Sequence, residues 1–486
     1  MTYKLRPYQE ECVKSISDYI NSDRHDPVLI IGPVGCGKSL LIAEAARLMG
    51  DKTLILQPSK ELLQQNHDKI TSYGIPATIY SASCGKKELS NMIYATLGSI
   101  KKVVGQLKEM GIRNVLIDEA HAGYSPEDGS EFMTFMNELK PRKVIGFTAT
   151  PCRLKNMSIG QTSYSQLNFI TRMRPVYFKN LIHVIQVEEM IRQGFWTPLK
   201  YETWDFNGDA LKLNSNGSEY TAESISEAVR KNGLNNLILR RLMVLKDVCR
   251  SILVFMDSVE SCNTAAEWMN AKICAGMAEV VHGGTPKRQR EAIVERFKSG
   301  GTQVVFNYSA LGTGFDHPGL DCVVFGRPTF SFSTWYQAIG RAVRIKDGKD
   351  SAMVVDCCDN SSRFGDIRGL SIENYKGYGW GMFIDDKLIT NIPMGDKVTK
   401  TDLDIKAAKK DRRRGLAQGV TAAPIPGRPP HPLGSTVMAF GKYSGWMLHS
   451  VPVSYFKFIN ETFDWDNDRN KDIKEYIDFL IKNNRL

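Results

Sequence analysis

Residues 27–50 read PVLIIGPVGCGKSLLIAEAARLMG, and three patterns follow one another within them. Val28 to Ile31 is a short apolar run rich in β-branched residues, the pattern of a buried strand. A glycine-rich loop, GPVGCGKS (32–39), comes next, and the stretch after it places Leu40, Leu41, Ala43, Ala46 and Leu48 at helical spacing. Strand, loop and helix in that order form a phosphate cradle. Backbone N–H groups of Gly32, Gly35, Cys36 and Gly37 and the helix N-terminus hold the oxygens, Lys38 reaches the β and γ phosphates, and Ser39 ligates Mg²⁺. The alternative is a surface loop that happens to carry a lysine. The loop says only that a phosphate is held, so its use must be read further along the chain.

Further apolar strands are expected at KTLILQPS (52–59), NVLIDEAH (114–121) and KVIGFTATP (143–151), with helical stretches between them. A second series begins near residue 240, with SILVFMD (251–257), AEVVHGG (278–284), TQVVFN (302–307), DCVVFGR (321–327) and SAMVVDCC (351–358). Such alternation predicts two tandem α/β lobes with parallel sheets, of which only the first has a phosphate loop. The expected organisation is a first lobe over 1–155, a bridging segment over 156–239, a second lobe over 240–360, a linker with a basic run over 361–431 and a small α+β module over 432–486. At 486 residues the chain has room for about three domains of ~150 residues each.

Asp118 and Glu119 follow the strand NVLI, at the edge where open α/β sheets bind ligands. Asp118 there can hold Mg²⁺, and Glu119 can orient or deprotonate an attacking water. Two solvated acids at a strand end are the plainer reading of an isolated pair. Gln9, in LRPYQ (5–9), is a side chain that can both donate to and accept from an adenine edge, which points to ATP rather than GTP.

Taken in order, LRPYQ (5–9), GPVGCGKS (32–39), QPSKELLQQ (57–65), ATLGSI (95–100), DEAH (118–121), TATP (148–151), VFMDS (254–258), LGTGFD (311–316) and QAIGRAVR (337–344) resemble the motifs of superfamily 2 helicases and translocases of the DEAH-like type. The resemblance covers roughly residues 1–358 and is nearest to the bacterial RadD helicases and the phage branch-migration helicases. It implies two RecA-like lobes and an ATP hydrolase with Mg²⁺, to whose nucleotide site Arg6 and Gln9 also belong. Gln337, Arg341 and Arg344, spaced four and three apart, share a helix face from which the arginines can reach a γ-phosphate held by the other lobe. A solvated basic face is the alternative. Gly314 and Asp316 resemble the turn that links nucleotide and strand, while His121, Thr148 and Thr150 resemble the residues coupling the two sites. The polynucleotide track of the family matches Ser59, Lys60, Thr96, Ser99, His282, Thr285 and Ser309, each of which could equally cap a helix.

Lys plus Arg number 63 against 53 Asp plus Glu, a formal charge of +10 that mildly favours a polyanionic partner. DNA, single-stranded, forked or branched, is the expected partner, with RNA and a motor subunit requiring a partner nuclease as competing readings. The ten cysteines form no CxxC pair, so neither a zinc ribbon nor a disulfide framework is expected, in contrast to RadD proteins. No apolar run approaches the ~20 residues of a membrane span, and the expected setting is the cytoplasm, that of the host for a phage-type protein. The basic run Lys406, Lys409, Lys410, Arg412, Arg413 and Arg414 reads first as solvated linker. In 438–466, Phe440, Tyr443, Trp446, Tyr455 and Phe458 read as the core of a small module, or alternatively an exposed aromatic or Lys442 touches a DNA junction or a partner protein.

Overall fold

The computed structural model describes residues 4–483 except 51, 160–161, 311–314, 377, 406, 408–432, 434–435, 437, 440–442, 444–446, 463–464 and 466–469. The chain divides into two units, Met1–Lys400 and Thr401–Leu486. In chain order the strands of the first lobe are β1 (Val28–Ile31), β2 (Thr53–Leu56), β3 (Thr78–Ser81), β4 (Lys86–Lys87), β5 (Met92–Ala95), β6 (Asn114–Ile117), β7 (Lys143–Thr148), β8 (Cys152–Ile159), β9 (Thr162–Phe169) and β10 (Asn180–Val184). Eight of them form one sheet in the order β10-β1-β7-β6-β2-β5-β3-β4, parallel except for the final β3–β4 pair. Strands β1, β2, β5 and β6 are buried at every residue, which is why their sequences are continuous apolar runs rather than alternating ones.

The second lobe contributes β11 (Leu199–Thr203), β12 (Ile252–Phe255), β13 (Ala278–His282), β14 (Val304–Tyr308), β15 (Cys322–Phe325) and β16 (Ala352–Asp356). These form an all-parallel sheet in the order β11-β16-β15-β12-β14-β13. Parallel pairing sends the parallel strands of a lobe out at the same edge, so the loops after β1, β2, β6 and β7 gather there, as do those after β14 and β16. Two RecA-like α/β lobes, as expected, are present.

Two expectations about the connecting segments are corrected. Residues 156–239 are no mere bridge, because β10 completes the first sheet beside β1 and β11 completes the second beside β16. Residues 361–431 are not linker throughout: β17 (Leu370–Tyr375), β18 (Gly379–Ile384), β19 (Lys387–Leu388) and β20 (Val398–Thr399) form an antiparallel sheet. Its tightest turn is Asp385-Asp386, both at positive φ (48° and 65°), the arrangement that matches strand twist in a two-residue hairpin. Aspartate tolerates that backbone because its short side chain bonds locally. The six basic residues of the 406–414 run lie outside the described residues.

The described part of the second unit holds the helices Val453–Thr462 and Lys471–Lys482. Its core is Met438, Leu448, Val451, Phe456, Ile459, Ile473, Tyr476, Ile477 and Leu480, with Tyr443 and Tyr455 packed against it. Phe458, expected inside, is 57% exposed; Phe456, two positions earlier on the helix, takes the inward place. Phe440, Lys442 and Trp446 lie outside the described residues.

The N-terminal helix Pro7–Asn21 is held to the first sheet by a buried cation. Lys143, at the start of β7, is 3% exposed, and its Nζ donates to the carbonyls of Tyr19 (2.9 Å), Ser22 (2.7 Å) and Arg24 (2.6 Å). The Tyr19 carbonyl, in the last helical turn, also accepts from Ser22 N (3.3 Å) and Ser22 Oγ (2.8 Å), while the other two belong to the segment that follows the helix. Lys143→Met keeps the stem and removes these three hydrogen bonds, so the full chain is expected to lose about 2–3 kcal/mol, read as a lower urea midpoint; an unchanged midpoint refutes the anchoring role.

Candidate active site: a cleft between two sheet edges

One cavity of about 580 Å³ lies where the carboxyl edges of the two sheets face each other. The first lobe lines it with Gly35, Gly37, Lys38, Ser39, Asp118, Glu119 and His121, and the second with Phe315, Asp316, Gln337, Gly340, Arg341 and Arg344. The phosphate loop turns at Gly35 (φ 81°) and at Gly37 (φ 83°), where a Cβ would stand 2.6 Å from Gln9 Nε2. Glycine is therefore required at Gly37 both by backbone conformation and by space.

Lys38 Nζ lies 2.5 Å from Glu119 Oε1. Burial alone would lower the ammonium's pKa, but Glu119 and Asp118 outweigh it and the net shift is upward. The two acids are driven apart. Burial, then the charge of Glu119, raises Asp118 to about 6. Glu119 meets the same burial, yet Lys38 and His121 prevail and hold it near 2. Glu119 is thus the more acidic of the pair. Its backbone sits at φ 45°, left-handed for a non-glycine residue, a strain that recurs at functional sites.

Asn66 joins the candidate metal residues. Ser39 Oγ donates to Asn66 Oδ1 at 2.7 Å, and Asn66 Nδ2 donates to Asp118 Oδ2 at 3.0 Å and to Gln57 Oε1 at 3.1 Å. Sequence reading stopped one residue short of Asn66, although it stands between Leu63 and Ile70 on the buried stripe of the helix Lys60–Ser72. A polar residue inside such a stripe is the signal that could have found it. The oxygen donors of Ser39 and Asp118 suit Mg²⁺, a hard cation. Among the described residues no group of three or more His, Cys, Asp or Glu could hold a metal by itself.

The three residues expected to couple the sites are in direct contact. His121 Nδ1 bonds Thr148 Oγ1 (2.8 Å), His121 Nε2 bonds Thr150 Oγ1 (3.0 Å), and Thr150 N donates to Thr148 Oγ1 (3.0 Å). All three are buried. His121 Nδ1 also lies 3.3 Å from Glu119 Oε2, which links the set to the candidate base.

On the facing lobe, the helix Phe332–Ala342 and its C-terminal extension present Gln337, Arg341 and Arg344 to the cleft. Arg341 donates to the Phe315 carbonyl and Arg344 pairs with Asp316. Burial lowers Arg341 to about 10, which leaves it charged at neutral pH. Gly340 abuts Val34 of the phosphate loop so closely that an added Cβ would lie 2.4 Å from that side chain. Trp196 Nε1 donates to the Val34 carbonyl (2.9 Å), while Thr197 donates to the carbonyls of Val343 (2.8 Å) and Arg344 (2.9 Å). The dipeptide Trp196-Thr197 thus ties the phosphate loop to the arginine helix, a role the sequence did not show.

Gln9 is 4% exposed; its amide donates to the Cys36 carbonyl (2.9 Å) and accepts from Arg6 N (3.0 Å). It supports the phosphate loop from behind. At the cleft itself stand Arg6 and Phe195, the guanidinium 4.4 Å from the ring centroid. Phe195 was likewise missed, its one signal being an aromatic pair directly after the helix-ending Gly194. Gly32 starts the loop with its N–H on the Thr148 carbonyl, Cys36 is buried, and Gly314 lies outside the described residues.

The residues expected along the polynucleotide track lie in both lobes. Ser59 lines the nucleotide cleft and caps the helix that Lys60 begins. Thr96 Oγ1 donates to Ser99 Oγ, which accepts from Ala82 N. Thr285 is buried and its hydroxyl accepts from His282 N. Ser309 is exposed at φ 53° after β14.

Comparison with known proteins agrees with this architecture. Residues 2–153 match the family described as type III restriction enzyme, res subunit, and residues 235–346 match the helicase conserved C-terminal domain. The two matches, on two RecA-like sheets, indicate a two-lobed body of the superfamily 2 helicase type. Among individual proteins, the chain is 25% identical over 332 residues to a 51.5 kDa protein of a Lactococcus phage, covering 68% of this chain and 65% of that one. It is 24% identical over 378 residues to the putative ATP-dependent helicase IRC3 of Saccharomyces cerevisiae, covering 74% and 52%. The chain therefore spans about half to two thirds of the length of these relatives. A type ISP restriction-modification enzyme, LlaBIII, solved bound to DNA, superposes with a TM-score of 0.53 at 15% identity, over 86% of this chain and 30% of that one.

The Val34 seam is testable. Gly340→Ala is expected to cost about 1–3 kcal/mol through overpacking, seen as a lower thermal midpoint, and Val34→Ala in the same chain is expected to recover at least half of the loss. Additive losses would show that the two residues do not meet.

Proposed function

We infer that this chain is an ATP-dependent, Mg²⁺-requiring superfamily 2 motor that hydrolyses ATP to translocate on DNA and to unwind or branch-migrate it, as in replication, recombination or repair. The observation that carries this reading is the composition of one cleft: Lys38, Ser39, Asp118 and Glu119 from one sheet edge face Gln337, Arg341 and Arg344 from the other. The DEAH-like reading, with its resemblance to RadD and phage branch-migration helicases, favours DNA, and the net charge of +10 suits a polyanion.

The residues divide the chemistry as follows. Lys38 and Glu119 neutralise each other across 2.5 Å. A triphosphate entering the loop competes for Lys38 and frees the Glu119 carboxylate to hold the attacking water. Ser39 and Asp118, spaced by Asn66, are the residues that would hold Mg²⁺, which when bound neutralises phosphate charge. Arg341 and Arg344 supply permanent positive charge from the opposite lobe, a contribution worth about 10³–10⁵ in rate in phosphoryl transfer. His121, Thr148 and Thr150 transmit the state of Glu119 to the edge of β7. Phe195 and Arg6 form the platform for the base, and Gln9 supports the loop beneath it.

Among the described residues no helix is long and apolar enough to cross a membrane, in keeping with a cytoplasmic motor. A protein partner engaging the second unit completes the proposal.

Steady-state ATP hydrolysis with single-stranded, duplex, forked and four-way DNA and with single-stranded RNA tests it. Lys38→Ala and Glu119→Gln are expected to lower turnover at least 10³-fold while polynucleotide affinity changes less than about threefold, because both residues face the nucleotide. Stimulation by RNA alone replaces DNA as substrate, and wild-type turnover in either variant refutes the catalytic assignment. Phe195→Ala is expected to raise the KM for ATP about tenfold with kcat within twofold; an unchanged KM removes Phe195 from the base site.

A further inference from the structure

The hairpin β8–β9 grows directly out of the coupling segment, since β8 begins at Cys152, two residues after Thr150. Its first turn grips the DEAH loop: Arg153 donates through Nε to the His121 carbonyl and through Nη2 to those of Tyr124 (2.6 Å) and Ala120 (3.4 Å). Burial lowers the pKa of this guanidinium, and three carbonyls answer it. From Arg153 the two strands stay in unbroken register, Arg153 opposite Asn168 and Asn156 opposite Ser165. Backbone bonds from Asn391 N to the Leu167 carbonyl (2.7 Å) and from Met394 N to the Ser165 carbonyl (2.8 Å) stiffen the hairpin from behind.

At Asn156 the hairpin meets the other lobe. Asn156 Nδ2 donates to the Asn216 carbonyl (2.7 Å), and Ser165 Oγ donates to Asn156 Oδ1 (2.6 Å) and to the Gly217 carbonyl (3.2 Å). Contact is close enough that a Cβ on Gly217 would stand 2.2 Å from Asn156 Nδ2. The loop that follows is a tight turn closed by the Leu213–Tyr220 bridge, and it delivers Glu219. That carboxylate accepts from Thr329 Oγ1 (2.7 Å) and from Phe330 N (2.7 Å). Thr329 Oγ1 in turn accepts from Ser331 N (3.1 Å), and Ser331 caps the helix Phe332–Ala342 that bears Gln337 and Arg341.

The geometry points to the β8–β9 hairpin as an inter-lobe strut that sets the position of the arginine helix, with Asn156 and Glu219 as its positioning residues. The inference rests on the hydrolytic reading of the cleft and deepens it. A connected path runs from the carbonyls of the DEAH loop, through Arg153, the hairpin and the 214–219 turn, to the N-terminus of the helix across the cleft. Asn360 and Arg363 also hold Thr329, through its N–H (2.9 Å) and its carbonyl (2.9 Å). Those ties stay within the second lobe, whereas the Asn156–Gly217 contact is the step that reaches the first. Neither Asn156 nor Glu219 touches the cleft, so each acts on the reaction through the helix.

The test is a double-mutant cycle of Asn156→Ala and Glu219→Ala in the full chain, read by polynucleotide-stimulated hydrolysis. Each single variant is expected to lower kcat about tenfold with the KM for ATP within twofold, and the double variant to fall no further than about twofold below the worse single. Glu219→Gln, which keeps one acceptor oxygen, is expected to recover part of the rate. Wild-type kcat in both singles overturns the strut, as does a multiplicative loss of about a hundredfold in the double or a change confined to KM. Amide hydrogen exchange over residues 332–342 decides the matter independently of turnover: Asn156→Ala, a change in the other lobe, is expected to speed exchange there several-fold, and unchanged exchange overturns the strut. Absence of hydrolysis in the wild-type chain with every polynucleotide overturns the motor reading instead, and the exchange measurement still judges the strut.

Discussion

Val34, at the crest of the phosphate loop, lies against a stretch of helix that has no Cβ at Gly340, and the cleft takes its dimensions from that seam. Interiors pack at close to crystalline density, so such a contact has little slack. The indole of Trp196 on the Val34 carbonyl and the hydroxyl of Thr197 on the Arg344 carbonyl hold the same seam from the side. The two lobes share one continuous apolar core, which runs from Leu29 and Ile55 through Trp196 to Phe332 and Trp335.

Within that frame the chemistry is a problem of charge. Two buried carboxyl groups adjacent in sequence cannot both ionise cheaply, and their surroundings separate them: Lys38 and His121 claim Glu119, while Asn66 and a backbone N–H attend Asp118. The candidate base and the candidate metal residue are thereby distinguished before any nucleotide arrives. His121 extends the distinction to Thr148 and Thr150, so the ionisation of Glu119 and the hydroxyl network at the end of β7 are parts of one hydrogen-bonded cluster.

The same economy governs the segments outside the two sheets. Residues 152–169, 180–203 and 370–399 contribute a hairpin, two sheet-edge strands and an antiparallel sheet. Gln186 bonds the backbone of Ile372 on both sides (2.8 and 3.1 Å), next to the helix that precedes Phe195 and Trp196. These segments read as polar and irregular because their partners are distant in sequence, so neither a 3.6-residue nor a two-residue period has much length in which to show.

The amino-acid sequence by itself determined the two parallel sheets, the phosphate loop, and the identity of Lys38, Ser39, Asp118, Glu119, Gln337, Arg341 and Arg344 as the residues of one site. For the sheets, the phosphate loop and the Asp118–Glu119 pair it could do so because those features are local: buried parallel strands are unbroken apolar runs, and loops at their carboxyl ends carry the polar residues a ligand needs; Gln337, Arg341 and Arg344 were legible through the resemblance to helicase motifs. Only the tertiary structure decided that Gln9 faces the loop while Phe195 joins Arg6 at the cleft, that Asn66 stands between Ser39 and Asp118, that Thr285 is buried, and that residues 370–399 fold rather than link. Each of those outcomes depends on which remote backbone a side chain meets, and a contact between residues as far apart as Arg6 and Phe195 leaves no periodicity in the chain.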